Sequence, residues 1–353
     1  FVFEDVPERP VASLLRGFSA PVILERTLDD ETLRFQMKHD PDAFNRWDAG
    51  QTLVRRRVIA FMADLDNGVE PKLPTADAEA FRGVLASEQL DDALKAEALT
   101  LPRADAIGED LETIEVEKLV NARDAFVRQL TEALEDDLAR AYRLRAVETE
   151  YSLEPAAIGR RRLKNLCLSY LGRLDKDEYL QHAVDQVNVA HNMTDVIAGL
   201  GVLCHLDRPE REEELNAFYE KWKDDPLVTD KWLMLQATSR RDTAVEDVKR
   251  LMEHPAFSRR NPNRIRSLIG AFAMGNFEQF HRADGEGYRL LADFVIELDP
   301  VNPQIASRLV QAMIRWRRFD EGRQAGLKDH LQRVESSSSC SANTSEVVSR
   351  ALG

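Results

Sequence analysis

Apolar residues recur at helical spacing along most of this chain. The regular spacing begins near Asp29, and its clearest case is a stripe of apolar residues at every fourth position. That stripe consists of Phe126, Leu130, Leu134, Leu138 and Tyr142. No sustained alternation of apolar and polar residues follows Leu24, so no β-sheet is expected beyond that point. The pattern therefore predicts an all-α fold over nearly the whole chain.

Residues 1–24 depart from this pattern because prolines interrupt helices. The segment carries Pro7, Pro10 and Pro21, with short β-type runs at Phe1–Phe3 and Val22–Leu24. We expect extended chain there, with at most a short helix near Val11–Arg16. Such a strip needs a surface to lie on and would connect to a preceding domain.

Helix starts recur through the second half of the chain. They are predicted at Asn192, at Asp230 after the helix breaker Pro226, at Asn261-Pro262 and at Asn302-Pro303. Along the chain 38 residues separate Asn192 from Asp230, 31 separate Asp230 from Asn261, and 41 separate Asn261 from Asn302. Intervals of this size are typical of two-helix repeats. They favour a superhelical α-solenoid of HEAT/armadillo-like helix pairs, while a non-repetitive all-α bundle shares the same local signals.

The pattern divides the chain into three segments. Residues 1–24 would be the extended connector, and residues 25–335 the helical-repeat domain. Residues 336–353 would be a serine-rich link followed by a short terminal helix, because Ser336–Ser345 is low in complexity. Only the segment after Ser345 is expected to form that helix.

Composition and charge exclude several classes of protein. The chain has 353 residues and a net charge of −14, and duplex phosphates would repel such a chain, so no nucleic-acid partner is expected. No apolar run approaches the length of a membrane span, and no signal peptide is recognisable. Three cysteines are too few for a disulfide framework, which fits a reducing compartment. We expect a cytoplasmic protein and, since the chain starts at Phe1, a piece of a longer one.

The usual motifs of catalysis and metal binding are not found in the sequence. None of the seven histidines forms a His-Glu-x-x-His pair, and no phosphate-binding glycine loop or nucleophile elbow occurs. Runs of carboxylates such as Glu212–Glu214 are interpreted as solvated helix faces. Cys204 lies among apolar residues and is expected in the core. No catalytic residue, cofactor or metal is therefore predicted within this chain.

Arginines near predicted helix starts are the stronger signal. In the stretch NPNRIRSLIGAF, Asn261 can cap a helix and Pro262 suits its first position. Arg264 and Arg266 then lie where the helix dipole is positive, the unfavourable end for cations. Arg308 occupies a similar position after Asn302-Pro303. Guanidiniums on one rim of a helical stack can hold a carboxylate, such as the C-terminus of a peptide.

The candidate substrate-binding residues are Arg264, Arg266, Arg308, Asn261 and Asn263. The competing interpretation is structural, with the arginines in ion pairs to acidic loops at Glu278 or Asp284. Lys231, Trp232 and Gln236 on the preceding helix form a second polar and aromatic group, in which Trp232 is expected in the core.

Several strings in this chain resemble a known family. NPNRIRSLIGAF, with DKWLMLQATS before it and NPQIASRLVQAMIRWRRFD after it, is similar to the C-terminal helical domain of the bacterial aminopeptidase N family. FVFEDVPERPVASLLRGFSAPV, RWDAGQTL, LTLP and NMTD resemble the same family in the same order. The resemblance spans residues 1 to about 334, and the serine-rich tail departs from it.

The resemblance implies a role beside an active site that lies elsewhere. Members of the family are zinc aminopeptidases, which remove N-terminal residues from peptides. Their zinc site lies in an upstream catalytic domain, followed by a β-sandwich from which Phe1–Val6 would lead. The helical domain closes over the catalytic domain, so these upstream domains and peptide substrates are the implied partners. Arg264, Arg266 and Arg308 would then face the enclosed cavity. The alternative is a free-standing helical-repeat scaffold that binds a protein or peptide.

Overall fold

The computed structural model describes residues 4–7, 10–20, 22, 24, 26–146 and 150–353, and within them it is all-α without a strand. The helices are α1 (Asp30–His39), α2 (Ala43–Asp66), α3 (Thr75–Ala86), α4 (Asp92–Leu99), α5 (Ala104–Gly108), α6 (Val116–Ala146), α7 (Pro155–Leu171), α8 (Asp177–Val189), α9 (Met193–Leu203), α10 (Pro209–Trp222), α11 (Pro226–Ala237), α12 (Ala244–Met252), α13 (Pro262–Ile265), α14 (Ala271–Gly275), α15 (Phe277–Phe280), α16 (Glu286–Leu298), α17 (Pro303–Leu309), α18 (Glu321–Glu335) and α19 (Ala342–Leu352). One π-helical turn, Arg266–Gly270, joins α13 to α14.

The chain divides into two compact units, each described by itself. The first unit comprises residues 1–103 and 121–179, and the second comprises residues 104–120 and 180–353. Short 3₁₀ turns at Arg16–Phe18, Gly172–Leu174, Val310–Ala312 and Trp316–Arg318 complete the helical elements.

In the first unit, the N-terminal strip lies against α1 and α2. Asn45 of α2 donates to the carbonyl oxygen of Leu14 at 3.0 Å, and the Ser13 hydroxyl donates to Asp40 at 2.9 Å. The helical turn in this strip falls at Arg16–Phe18, slightly later than the predicted Val11–Arg16. Phe1–Phe3 and Ile23 lie outside the described residues, so the two predicted β-type runs stay predictions.

The predicted stripe on α6 forms part of the core of the first unit. Phe126, Leu130 and Leu134 are at most 3% exposed, and Leu138 and Tyr142 are also buried. The buried Asp77 carboxylate accepts hydrogen bonds from Arg34 and Arg57 at 2.7 and 2.8 Å. Two guanidiniums thus compensate a carboxylate that would be costly to bury alone.

In the second unit, five helical stretches lie side by side and parallel. We call them the parallel row: α9, α11, the continuous stretch 262–275, α17 and α19. Asn276 shows the alignment, because its amide donates to the carbonyl oxygens of Ala237 and Ser239 at 2.9 and 2.6 Å. At the other end of the same two helices, Arg264 donates to the carbonyl oxygen of Pro226 at 2.7 Å. Helices α8, α10, α12, α16 and α18 precede the members of the row in turn.

Each helical stretch of the row begins at a side-chain N-cap. The capping residues are Asn192, Asp225, Asn261, Asn302 and Ser341. The intervals between them along the chain are 33, 36, 41 and 39 residues. Five recurrences of one helix pair make a repeat protein. The predicted all-α solenoid of HEAT/armadillo-like pairs is therefore confirmed.

Two predicted helix boundaries were wrong. Helix α11 begins at Pro226 rather than at Asp230, because Asp225 caps it and proline is favourable in the first turn. The terminal helix begins at Ala342 rather than after Ser345. Its N-cap Ser341 donates its backbone N–H and its hydroxyl to Asp299 at 2.6 and 2.8 Å. Helix α2 ends at Asn67-Gly68, where Gly68 has a φ of 68°, a left-handed conformation that favours glycine.

Candidate functional site

The exposed face of the parallel row is the candidate functional site. It is built from the positions that α11, the stretch 262–275 and α17 leave uncovered. These exposed residues are Leu227, Lys231 and Met234, then Asn263, Arg266 and Met274, then Gln304, Arg308 and Gln311. Successive members on each helix are three to eight residues apart, which keeps them on one side of the helix. The face is therefore a strip of polar, cationic and methionine side chains.

Arg264 is not part of this face. Its residue is only 9% exposed, and its guanidinium forms an ion pair with Asp230 of the neighbouring α11. The same guanidinium donates to the Pro226 carbonyl oxygen, so it ties the starts of two helices together. The structural interpretation holds for this arginine, although the counter-charge is Asp230 rather than Glu278 or Asp284. In the structure Glu278 faces Arg240, and Asp284 pairs with Arg282.

Arg266 points to the exposed face from the first residue of the π-helical turn. Its guanidinium donates to the side-chain oxygen of Asn263 at 3.1 Å, and no carboxylate pairs with it among the described residues. A π-turn inserts a residue into the helix and is often found at functional positions. Asn261 is occupied as the N-cap, where its side chain accepts from the Asn263 N–H at 2.9 Å.

Arg308 and Lys231 are exposed and have no ion pair or hydrogen bond with any residue that the structure describes. Arg308 lies on α17, which neighbours the π-turn. A Cβ atom built on Gly270 would lie 3.8 Å from both the Arg266 Cβ and a methyl carbon of Leu309. Arg266 and Arg308 are thus on adjacent helices, whereas Arg264 is withdrawn into the packing between α11 and α13.

Lys231 was part of the polar and aromatic group noted from the sequence, but its companions are buried. Trp232 is 4% exposed and donates from its indole to the Leu215 carbonyl oxygen at 2.9 Å. Gln236 is 2% exposed. Because Asp225 is the N-cap of α11, Lys231 is the sixth residue after its cap. Arg308 is likewise the sixth residue after its cap, Asn302. The correct helix start would have placed Lys231 with the arginines.

In the parts of the chain that the structure describes, no three histidine, cysteine, aspartate or glutamate side chains are grouped to hold a metal ion. No described helix is long and apolar enough to cross a membrane. Cys167 and Cys204 are fully buried, and burial raises the pKa of each thiol to about 12. Neither thiol therefore supplies a reactive thiolate near neutral pH.

A family model matches residues 30–353, and its description reads domain of unknown function (DUF3458_C), ARM repeats. The chain belongs to this family. The ARM-repeat description agrees with the five helix pairs of the second unit.

The chain is also similar to aminopeptidases over its whole length. It is 38% identical to aminopeptidase N of Escherichia coli (strain K12) and 37% identical to aminopeptidase N of Haemophilus influenzae. Each match covers 100% of this chain and only 40% of the relative. The chain therefore spans less than half the length of these relatives. The resemblance to the aminopeptidase N family that the motifs indicate is confirmed.

A solved structure is similar as well. It is Legionella pneumophila aminopeptidase A in complex with aspartic acid, with a TM-score of 0.88 and 30% sequence identity. The similarity covers 99% of this chain and 41% of that protein.

Proposed function

We propose that this chain is the helical domain of a zinc aminopeptidase and that it covers the active site and anchors the peptide substrate. The zinc ion and the hydrolytic residues would belong to an upstream catalytic domain, joined to this chain through a β-sandwich. Similarity to aminopeptidases over the full length of the chain supports this proposal over a free-standing scaffold. The free cysteines fit a cytoplasmic enzyme.

The observation that carries the proposal is the pair of exposed arginines on adjacent helices. Arg266 and Arg308 are exposed and have no carboxylate partner among the described residues. The chain carries 62 acidic and 48 basic residues, so carboxylates are in excess and an unpaired arginine calls for a reason. Two guanidiniums on adjacent helices suit a carboxylate, which they can bind through charge-assisted hydrogen bonds.

The anchor would hold the trailing end of a peptide while its N-terminus is at the zinc site. Arg266 and Arg308 would contact the C-terminal carboxylate, and Asn263 would orient the Arg266 guanidinium. Arg264, with Asn261 as the cap, would set the position of α13 against α11. A covered site would admit peptides and unfolded ends and exclude folded proteins.

The test uses the full-length enzyme that contains this chain. Arg266→Ala and Arg308→Ala should each lower kcat/KM for a tetrapeptide with a free C-terminal carboxylate by roughly tenfold, the value of one charge-assisted hydrogen bond. The C-terminally amidated peptide and an aminoacyl p-nitroanilide should lose much less. Arg350→Ala is the matched control, because Arg350 is also exposed and without a partner among the described residues.

Two outcomes would contradict the proposal. One is an equal loss for the free peptide, the amide and the p-nitroanilide, which would indicate a general structural effect. The other is aminopeptidase activity or stoichiometric zinc in the isolated chain, which would place the chemistry within it.

A further inference from the structure

The parallel row carries a line of three cations rather than two. Lys231 is the sixth residue after the α11 cap, Arg266 the fifth after its cap, and Arg308 the sixth after the α17 cap. The three side chains thus occupy equivalent positions, within one residue, on three successive helical stretches of the row. We call this set the cation line.

The cation line ends at Lys231 on one side and at Arg308 on the other. The sixth position after the cap is Ala198 on α9 and Val347 on α19, and neither is charged. The line therefore covers the three central helices of the row only.

Several cations on other helices of the same unit are paired with carboxylates. Lys249 and Arg289 both donate to Glu286, at 2.8 and 2.6 Å, and Arg333 forms an ion pair with Asp293. By contrast, no carboxylate pairs with a member of the cation line among the described residues. The cation line therefore places three unneutralised positive charges on one face of an acidic unit, and such a face attracts an anionic ligand.

The spacing of the line specifies the ligand. Packed helices lie roughly 8–10 Å apart, so neighbouring members of the line are separated by about that distance. An extended peptide advances about 3.3 Å per residue, so three residues span about 10 Å. Lys231 and Arg266, on neighbouring helices, therefore match two carboxylates three residues apart in an extended peptide. The long Arg308 side chain can extend toward Arg266 and share the carboxylate that Arg266 binds.

We propose that Lys231 binds an acidic side chain three residues before the C-terminus of a peptide whose C-terminal carboxylate is held by Arg266 and Arg308. The ligand class is thus extended peptides with an aspartate or glutamate at that position. This inference rests on the proposed function, because it takes the arginine pair as the anchor of the C-terminus. The exposed Met234, one turn along α11 from Lys231, offers an apolar surface beside the bound chain.

The experiment measures kcat/KM of the full-length enzyme with matched alanine-based hexapeptides. One pair carries glutamate or glutamine three residues before the C-terminal residue, and a second pair carries them one residue before it. The glutamate-to-glutamine ratio should be roughly ten for the first pair, the effect of one charge-assisted contact, and near one for the second. In Lys231→Met the first ratio should fall to about one, and Lys231→Arg should restore it.

Lys72→Met is the control, because Lys72 is exposed and without a partner among the described residues but belongs to the first unit. An unchanged ratio in Lys231→Met, or an equal preference for glutamate at both positions, would overturn the inference. The free-acid and amide comparison tests the arginine anchor separately. If Lys231→Met leaves the glutamate-to-glutamine ratio unchanged while the arginine variants still discriminate the free acid from the amide, this inference alone is refuted. If the arginine variants do not discriminate the free acid from the amide, the proposed function is refuted.

Discussion

Arg264 and Arg266 stand two residues apart on one helix and lie in different environments. The Arg264 side chain is 11% exposed and faces Asp230, whereas Arg266 is exposed to solvent. Sequence alone placed both in the unfavourable first turn of a helix. The sequence could not show which arginine is buried, because the partner of Arg264 lies 34 residues away and the contact depends on how α11 packs against α13.

This difference predicts unequal effects when each arginine is replaced by methionine. Arg264→Met should lower the free energy of unfolding by about 2 kcal/mol, since it leaves Asp230 half-buried and unpaired. Arg266→Met should change it by less than about 0.5 kcal/mol, as is usual at exposed positions. Urea denaturation followed by circular dichroism measures both. Equal losses in the two variants would show that Arg266 is structural as well.

His281 is a buried histidine that stays neutral in the fold. Its ring stacks on Phe319 with centroids 4.3 Å apart, and its Nδ1 lies 2.8 Å from the Tyr288 hydroxyl oxygen. Burial, followed by the charge of Arg323, lowers the pKa of His281 to about 3. In the unfolded chain this imidazole binds a proton below about pH 6.5, while the folded chain does not.

The stability contributed by neutral His281 should therefore fall as the pH drops from about 6.5 toward 3. The unfolded state binds the additional proton throughout this window, so the loss approaches about 1.4 kcal/mol per pH unit. His281→Gln removes the titrating group and should flatten this part of the profile. Urea denaturation of both proteins at pH 7, 6, 5 and 4 gives the comparison, in which carboxylate titration is common to both. Parallel profiles would contradict the assignment.

At the scale of elements, helix starts were predictable wherever an asparagine stands directly before proline. Asn261-Pro262 and Asn302-Pro303 were both placed correctly, because cap and first residue are adjacent in the sequence. Helix α11 was misplaced because its cap is an aspartate among several nearby carboxylates, including Asp224 and Asp230. The start of α19 depends on Asp299, a carboxylate 42 residues away, which no local pattern reveals.

Close packing at the start of α16 gives a second test at this scale. A Cβ atom on Gly287 would lie 2.3 Å from the Phe280 carbonyl oxygen, so α15 and α16 can approach only around a glycine. Gly287→Ala should destabilise the protein by about 2 kcal/mol or more through overpacking. Gly322 is likewise the second residue of its helix, α18, but its nearest neighbour would be the Asp320 carboxylate at 3.5 Å.

Gly322→Ala is therefore the matched control for Gly287→Ala. It should stabilise the protein by about 0.5–1 kcal/mol, because alanine favours helix and restricts the unfolded chain. Thermal unfolding of the two variants should shift the midpoint in opposite directions. A similar shift in both would mean that the contact with Phe280 relaxes at little cost.

At the scale of the whole molecule, the repeat architecture was readable from periodicity while the binding face was not. The intervals between helix starts predicted stacked pairs, although one start was misplaced by several residues. The cation line depends on how successive helices of the row are aligned, and the side-chain bonds of Asn276 and Arg264 set that alignment between α11 and the stretch 262–275. Contacts between repeats are set by packing and leave no mark at one position of the sequence.

A row in which each helix pair contacts mainly its neighbours should lose stability from the end that is damaged. Helix α19 closes the row beside α17 and α18, with Asp299 bonded to its N-terminal end and the Trp316 indole donating to the Ala351 carbonyl oxygen at 3.0 Å. Deleting residues 336–353 from the full chain would expose the apolar sides of α17 and α18 and leave the buried Asp299 carboxylate without its three donors. Hydrogen exchange should then accelerate in α16–α18 and stay unchanged in α9 and α10. Uniform acceleration across the row would instead mean that the second unit unfolds as a single cooperative block.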